Sequence, residues 1–377
     1  MFQAEESPFD KFVSRGDLLD EIDIPGPHEA IDDAVEQALE DIFDTRVPKV
    51  ISILGDNGEG KTHLFWALEK KFLSQAYFIF VPAPMSTKNV LIHLYTCFVE
   101  GLGEDRLHEI IAKLAGNWGA NTKIYGIFRT TDVEGVIQRA ISLETMGTGP
   151  NPALEDCIKA IIRHEMDLEK RDLAERWILG ELMDYPELQQ LDIDNNLKEG
   201  DRIFAMMKLV MEAMDEVVVL FFDELEKPFH ADDLILEVAE GVERPQQIFD
   251  VIYRLLHETT NLLSILSTNA PDWPNVQGHI PPPLLEILGP NLSLRPFTFP
   301  EFQELYQEIF RRFWQEKQIG LIQDPLWPLT TPVLERIFAR GQLNPRECLR
   351  LLKKLFSALA FEEWDEKELK EKILEDI

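Results

Sequence analysis

The stretch that most constrains this chain is residues 47–64, VPKVISILGDNGEGKTHL. KVISIL is a β-branched apolar run fit for a buried strand. It breaks into a loop with glycines at 55, 58 and 60, and the loop opens into THLFWALEKKFLSQ, which is periodic as a helix. Gly55, Asp56, Asn57, Gly58, Glu59, Gly60, Lys61 and Thr62 satisfy G-x-x-x-x-G-K-[ST] at every fixed position, with His63 following in the helix. Glycines let successive backbone N–H groups turn inward around a phosphate, and the positive end of the next helix adds to the field. Chance places this pattern in a chain of such length on the order of 1% of the time. The loop needs a buried strand before it and a helix after it, so it commits the chain to an α/β fold.

The remaining strands follow from the same criterion. AYFIFVPAP, EVVVLFFDELEKPF, NLLSILSTNA and LSLRPF read as further strands, separated by helical patterns such as PHEAIDDAVEQALEDIFDT and PQQIFDVIYRLLHETT. Buried strands alternating with helices predict a three-layer α/β sandwich of the P-loop NTPase type on a mainly parallel five-stranded sheet. Thr62 and the later Asp223 stand 161 positions apart. The intervening residues are mostly helical in pattern, and a connection that long carries its own fold. The expected organisation is an N-terminal arm (1–27), an α/β nucleotide-binding core (28–86 and 213–298), a helical insert (87–212) and a C-terminal helical lid (299–377).

Four segments carry candidate chemistry. Lys61 would reach the β- and γ-phosphate oxygens of ATP, and the Thr62 hydroxyl would ligate Mg²⁺. In VVVLFFDELEK (217–227), Asp223 would hold Mg²⁺ through water and Glu224 would orient and deprotonate an attacking water. LLSILSTNA ends on Thr268 and Asn269, and Asn269 is placed to hydrogen-bond the γ-phosphate or that water. GQLNPRECLRLLKKL sets Arg346 just inside a helix start, after Pro345 at a favourable first position.

Charge and cysteine usage narrow the setting. Against 37 basic residues stand 68 acidic ones, a net of −31, so DNA contact requires a local basic patch. Arg336, Arg340, Arg346, Arg350, Lys353 and Lys354 form one such patch, with Arg311 and Arg312 nearby in sequence. NWGANTKIYGIFR, where Trp118, Tyr125 and Phe128 alternate with Lys123 and Arg129, forms another. The terminal FEEWDEKELKEKILEDI reads as a solvated helix with i,i+4 charge pairs. Three distant cysteines without a CxxC pair, and no histidines at ligand spacing, argue against a zinc site and against disulfides. No apolar run is long enough to span a bilayer and the N-terminus has no signal-peptide pattern, so a cytoplasmic protein without membrane contact is expected.

GDNGEGKTHL, LFFDELEK, LSTNA and LNPRECLRLL, in this order, resemble the Walker A, Walker B, sensor 1 and sensor 2 regions of AAA+ ATPases, and LRPFTFPEFQELY, between the last two, adds to the likeness. The likeness is to the clade of origin-recognition initiators and TnsC-like transposition regulators. It covers about residues 28–83 and 215–355. LAERWILGELMDYPELQQLDIDNN further resembles ATP-binding proteins of BREX-type phage-resistance operons. The resemblance implies a Mg²⁺-dependent ATP hydrolase. It would assemble with further copies or with partner proteins of the same system, remodelling a protein–DNA complex in defence against mobile elements. One feature departs from the pattern: the stretch before the fifth strand has no basic residue ahead of Arg295, leaving Arg254 and Arg295 as weak arginine-finger candidates. The alternative is an ATP-dependent oligomerisation or signalling switch with little turnover and no direct DNA contact.

Overall fold

Three stretches too apolar to face water on either side form the middle of a sheet in the computed structural model, which describes residues 7–9, 22–84, 89–120, 132–147, 149–229, 246–317 and 324–361. In chain order the strands are β1 (Lys49–Gly55), β2 (Ala76–Pro82), β3 (Val217–Asp223), β4 (Leu262–Asn269) and β5 (Leu288–Ser293). They lie in the order β2-β3-β4-β1-β5, and every neighbouring pair is parallel. β3 is buried at all its positions, as expected of a parallel strand covered on both faces.

Because side chains alternate along a strand, each face has its own helical cover. Ile51, Ile53, Phe78, Val219, Phe221 and Ile265 meet α1 (Glu29–Thr45) and α2 (Lys61–Phe72). The opposite face, with Val50, Ile79, Val218, Leu220 and Leu266, shares one core with the helices that fill the long connection between β2 and β3. Those are α3 (Val90–Leu102), α4 (Glu104–Asn117), α5 (Val133–Glu144), α6 (Pro152–Met166), α7 (Arg171–Ile178), α8 (Tyr185–Gln190) and α9 (Arg202–Ala213). α10 (Gln247–Glu258) joins the same layer through Ile248, Phe249 and Ile252. The helical segment therefore supplies one of the three layers as well as its own interior.

The fifth strand differs from the sequence expectation. LSLRPF was read as the strand, whereas β5 covers LGPNLS, after the short helices α11 (Trp273–Gln277) and α12 (Pro282–Ile287). Its Gly and Pro read as a turn, but on an edge strand proline's missing N–H costs no ladder bond. A register irregularity between Val50 and Ser52 absorbs the mismatch, and Ser52 Oγ donates to Asn291 Oδ1 at 2.6 Å.

α13 (Phe299–Glu316), α14 (Thr331–Arg340) and α15 (Pro345–Phe361) form a third core at the C-terminal end. Phe9, Ile22 and Ile24 from the N-terminal segment are buried in it against Tyr306, Phe310 and Phe356. The two chain ends thus pack together. Of the basic–aromatic segment, Lys123, Tyr125, Phe128 and Arg129 lie outside the described residues, as does most of FEEWDEKELKEKILEDI (362–377). No described helix is long and apolar enough to cross a membrane.

Phe98, fully buried on α3, tests the shared layer. Phe98→Ala should cost about 3–5 kcal/mol through the lost burial and the cavity left behind. In a denaturant titration the sheet and helix circular-dichroism signals should shift together to a lower midpoint. A shift of the helix signal alone would show an independently folding insert.

Candidate active site

The parallel register sets the site. Gly55 pairs with Asn269 at the end of β1–β4, and β4 lies between β1 and β3, so the carboxyl ends of three strands converge. The glycine loop leaves β1 there and enters α2 with Lys61 as its first residue. Gly60 has φ +103°, a conformation that a side chain strains. Gly58 has φ +90°, and a Cβ there would also stand 2.7 Å from Asn344 Oδ1 and 2.9 Å from Arg346 Cβ. Glu59 Oε2 accepts from the Asp56 N–H at 2.6 Å, which braces the loop from inside.

Lys61 is buried, and its Nζ donates to Gly55 O (2.8 Å), Asp56 O (3.2 Å) and Asn269 Oδ1 (3.2 Å). Burial pulls its pKa below the ordinary lysine value, opposed by the charges of Glu226, Asp223, Glu59 and Asp56. The Thr62 hydroxyl donates to Asp223 Oδ2 at 2.6 Å. The other carboxylate oxygen, Oδ1, accepts from Ser267 Oγ (2.9 Å) and from the Glu224 N–H (3.0 Å). Asp223 is thereby fixed by groups from three segments while only 3% exposed.

Glu224 takes a left-handed backbone, φ +55°, rare for a residue with a side chain. The strand ends here, the chain reverses, and the Glu224 side chain lines the cleft, where Lys227 pairs with it. Asn269 holds Lys61 on one side and donates to Asp272 Oδ2 (3.1 Å) on the other. Thr268 points instead into the buried interior, where its hydroxyl meets no hydrogen-bond partner among the described residues.

The C-terminal helices close the cleft. Asn344 Nδ2 donates to Asn57 O at 2.8 Å, and the Arg346 N–H to Gly58 O at 3.4 Å. Arg346 lines the cleft across from Lys61, Thr62, Asp223 and Glu224. Every sequence-predicted group from Asn57 to His63 lines the same space, and Gly55, Asp56 and Asn269 support it through Lys61.

Three parts of the site were missed in the sequence. Ser267 stands one residue before the polar pair that was singled out, hidden in an apolar strand. Glu226, buried and accepting from the Asn269 N–H at 3.1 Å, reads in the sequence as an ordinary acid after a strand. The third is an apolar wall of Ile22, Ile24, Pro27, Leu294, Phe297 and Leu349, drawn from both chain ends. With it the cleft has an empty volume of ≈ 1070 Å³, including its open mouth.

The arm is pinned by a chain of charges. His28 contacts Asp32 Oδ1 (2.8 Å) and Asp23 Oδ1 (2.9 Å), His63 contacts the same Asp23 oxygen (3.2 Å), and Lys71 reaches Asp32 Oδ2 (2.9 Å). Burial lowers the His28 pKa, but its hydrogen bonds to Asp23 and Asp32, which accept from the ring, outweigh it and raise the group to about 9. Burial likewise raises Asp23, and its contacts with His28 and His63 bring it well below the usual carboxylate range.

The arginine-finger candidates are engaged within the chain. Arg254 pairs with Asp201 (2.7 Å) and Glu258 (2.5 Å) with its guanidinium 3.8 Å above the Phe204 ring, and Arg295 pairs with Glu301. In the basic patch, Arg350 pairs with Glu347, and both Arg311 and Arg312 with Glu308. Arg336 and Arg340, exposed on one face of α14, make no ion pair among the described residues.

A glycine loop wrapped from β1 onto α2, facing an acidic strand end across β4 in this sheet order, defines the P-loop nucleoside-triphosphatase fold. No protein-family model matches the chain, and no curated protein matches it in sequence. Solved structures similar to it include the ORC1 protein of Aeropyrum pernix in complex with DNA, 14% identical over 97% of this chain and 69% of that one, with a TM-score of 0.44. The ORC2 protein of Aeropyrum pernix, in ADPNP–ADP complexes, is 13% identical over 97% of this chain and 71% of that one, TM-score 0.44. A RuvB variant from Thermotoga maritima is 13% identical over 97% and 70%, TM-score 0.37.

A pH profile tests the pinned arm. The folded His28 value of about 9 lies above its ordinary 6.5, so its stabilisation is complete below 6.5 and is lost as pH rises through 9. It should amount to about 2–3 kcal/mol. Melting temperatures of wild type should fall across that window, and those of His28→Asn should be nearly flat there.

Proposed function

We propose that this protein is a Mg²⁺-dependent ATPase of the AAA+ class. The observation that carries the reading is the direct contact of Thr62 Oγ1 with Asp223 Oδ2, beside a buried Lys61 at the mouth of a glycine loop. Thr62 and Asp223 offer the hard oxygen donors Mg²⁺ prefers, and would hold it as a counter-charge to the phosphates. The acidic lining of Glu59, Asp223, Glu224 and Glu226 would repel a bare polyphosphate, which fits a nucleotide that arrives with its divalent cation.

In this reading the glycine loop cradles the phosphate chain and Lys61 exchanges its carbonyl partners for phosphate oxygens. The base and ribose lie along Ile22, Ile24, Phe297 and Leu349, between arm and lid. Glu224 accepts a proton as water attacks the γ-phosphorus, and the bond to the β–γ bridging oxygen breaks to give ADP and phosphate. Asn269 positions the water or the γ-phosphate, and Arg346 neutralises charge from the lid. Loss of the γ-phosphate would free Arg346, loosening a lid otherwise tied to the loop through Asn344 and Gly58. The division into arm, core (28–86 and 213–298), insert (87–212) and lid matches these roles. The work is assembly or remodelling of a protein–DNA complex by further copies or partner proteins, within a cytoplasmic defence against mobile elements. Arg336 and Arg340 are the DNA contacts this reading favours.

One observation favours a second reading, an ATP-dependent assembly switch with little turnover and no DNA contact: Arg254 and Arg295 are both tied to carboxylates of their own chain.

ATP turnover with and without DNA separates the two. Lys61→Ala should abolish nucleotide binding, and Glu224→Gln should keep binding while turnover falls about 10²–10⁴-fold. Wild-type turnover no faster than that of Glu224→Gln under every condition would leave only the switch. Ser267→Ala, which removes one support of Asp223, should raise the Mg²⁺ concentration for half-maximal turnover about 10–100-fold, measured by magnesium titration.

A further inference from the structure

Away from the nucleotide cleft, three residues with metal-binding side chains converge within the helical segment. His108 on α4, His164 at the end of α6 and Glu175 on α7 each present one ligand atom, and all three atoms lie within 4.8 Å of one another. The spacing of these residues along the chain resembles no zinc motif, which is why the sequence argues against such a site. Packing of α4 on α6 and of α6 on α7 brings them together.

The arrangement is more specific than three polar side chains in proximity. His108 Nε2 stands 3.2 Å from Glu175 Oε1, and the two imidazoles stack with centroids 5.1 Å apart. His164, with its side chain only 6% exposed, contacts Glu165 Oε1 through Nδ1 at 2.9 Å. A carboxylate accepting from Nδ1 places the proton there and leaves Nε2 with a lone pair. A carboxylate behind a histidine is the outer support typical of metal-ligating imidazoles. Arg171 Nε also donates to His164 O at 2.9 Å, anchoring the backbone that carries the ring. His108 and Glu175 remain partly open to solvent, at 41% and 33% side-chain exposure, so a water can complete a coordination sphere.

We infer that His108, His164 and Glu175 form a binding site for a divalent transition metal, Zn²⁺ foremost, that fastens α4 to α6 and α7. Two imidazoles and a carboxylate are a nitrogen–oxygen donor set suited to Zn²⁺, with a fourth position left for water. Tetrahedral bonds of about 2.0–2.1 Å set ligand atoms roughly 3.3 Å apart. The ligand atoms, all within 4.8 Å of one another, would have to draw closer around the ion, and His108 would release its Nε2 proton to solvent as the ion takes its place beside Glu175. Glu175 and Glu165 compensate the two positive charges, leaving the cluster neutral. The site is independent of the phosphate loop, so it stands whether or not the protein hydrolyses ATP.

The test is Zn²⁺ titration of the full-length, chelator-treated protein by calorimetry, with Co²⁺ absorption in the visible as the coordination signature. Wild type should take up one equivalent and show the intense bands of a four-coordinate Co²⁺ site. His108→Ala and Glu175→Gln, both at partly exposed positions, should lose that equivalent and those bands while keeping the wild-type circular dichroism. Glu165→Gln should retain the site with affinity about 10–100-fold weaker. Asp223→Asn, altered in the nucleotide cleft, and His257→Ala, altered at an exposed histidine, should bind as wild type does. No stoichiometric uptake by wild type, or uptake undiminished in both His108→Ala and Glu175→Gln, overturns the assignment.

Discussion

The contact on which the rest of this structure depends is the 2.6 Å hydrogen bond between Thr62 and Asp223, residues 161 positions apart. It requires β4 to lie between β1 and β3, with all three strands parallel and ending at one level. Parallel strands cannot be joined by tight turns, so each link must cross a face of the sheet. The helices on both faces are therefore a consequence of the contact as much as a support for it. Ser267 shows how closely the sheet is used. It belongs to the intervening strand, and its hydroxyl reaches the second oxygen of the same carboxylate.

Charge decides how the cleft can work. A chain of net charge −31 places four carboxylates, Glu59, Asp223, Glu224 and Glu226, in the cleft with Lys61 and Arg346. Carbonyls, Asn269 and nearby carboxylates replace the water that the buried Lys61 has lost and oppose the lowering of its pKa by burial. The apolar wall comes from elsewhere, with Ile22 and Ile24 buried in the core that the C-terminal helices build. Asp23 and His28 stitch that segment to α1, and through His63 to the helix that begins at the phosphate loop. Loop, arm and lid are consequently one mechanical unit, and a ligand held between them bears on all three.

The helical segment between β2 and β3 has two roles that its position explains. Its first helix, α3, lies against β2, and the segment shares one core with Val218, Leu220 and Leu266, so it cannot be removed without exposing them. Its more distal helices gather His108, His164 and Glu175 at a point where a metal ion would lock them.

Local chemistry was legible in the sequence wherever neighbours in the chain are also neighbours in space. The glycine loop, Lys61 and Thr62 sit within one turn, and the apolar runs marking β1 to β4 needed no knowledge of their partners. Asp223 and Glu224 were readable because a strand end presents acids to the same edge as the loop. β5 was misplaced because its Gly and Pro are tolerated only at a sheet edge, and the sequence does not say which strand is at the edge. Ser267 and Glu226, the wall shared by both chain ends and the His108–His164–Glu175 cluster all depend on side chains from separate segments meeting. By itself the sequence determined the α/β class and the phosphate loop, because both arise from periodicity and backbone freedom over a few residues. Only the tertiary structure decided which distant carboxylates, hydroxyls and imidazoles share a site, because strand order and helix packing bring them within hydrogen-bonding reach.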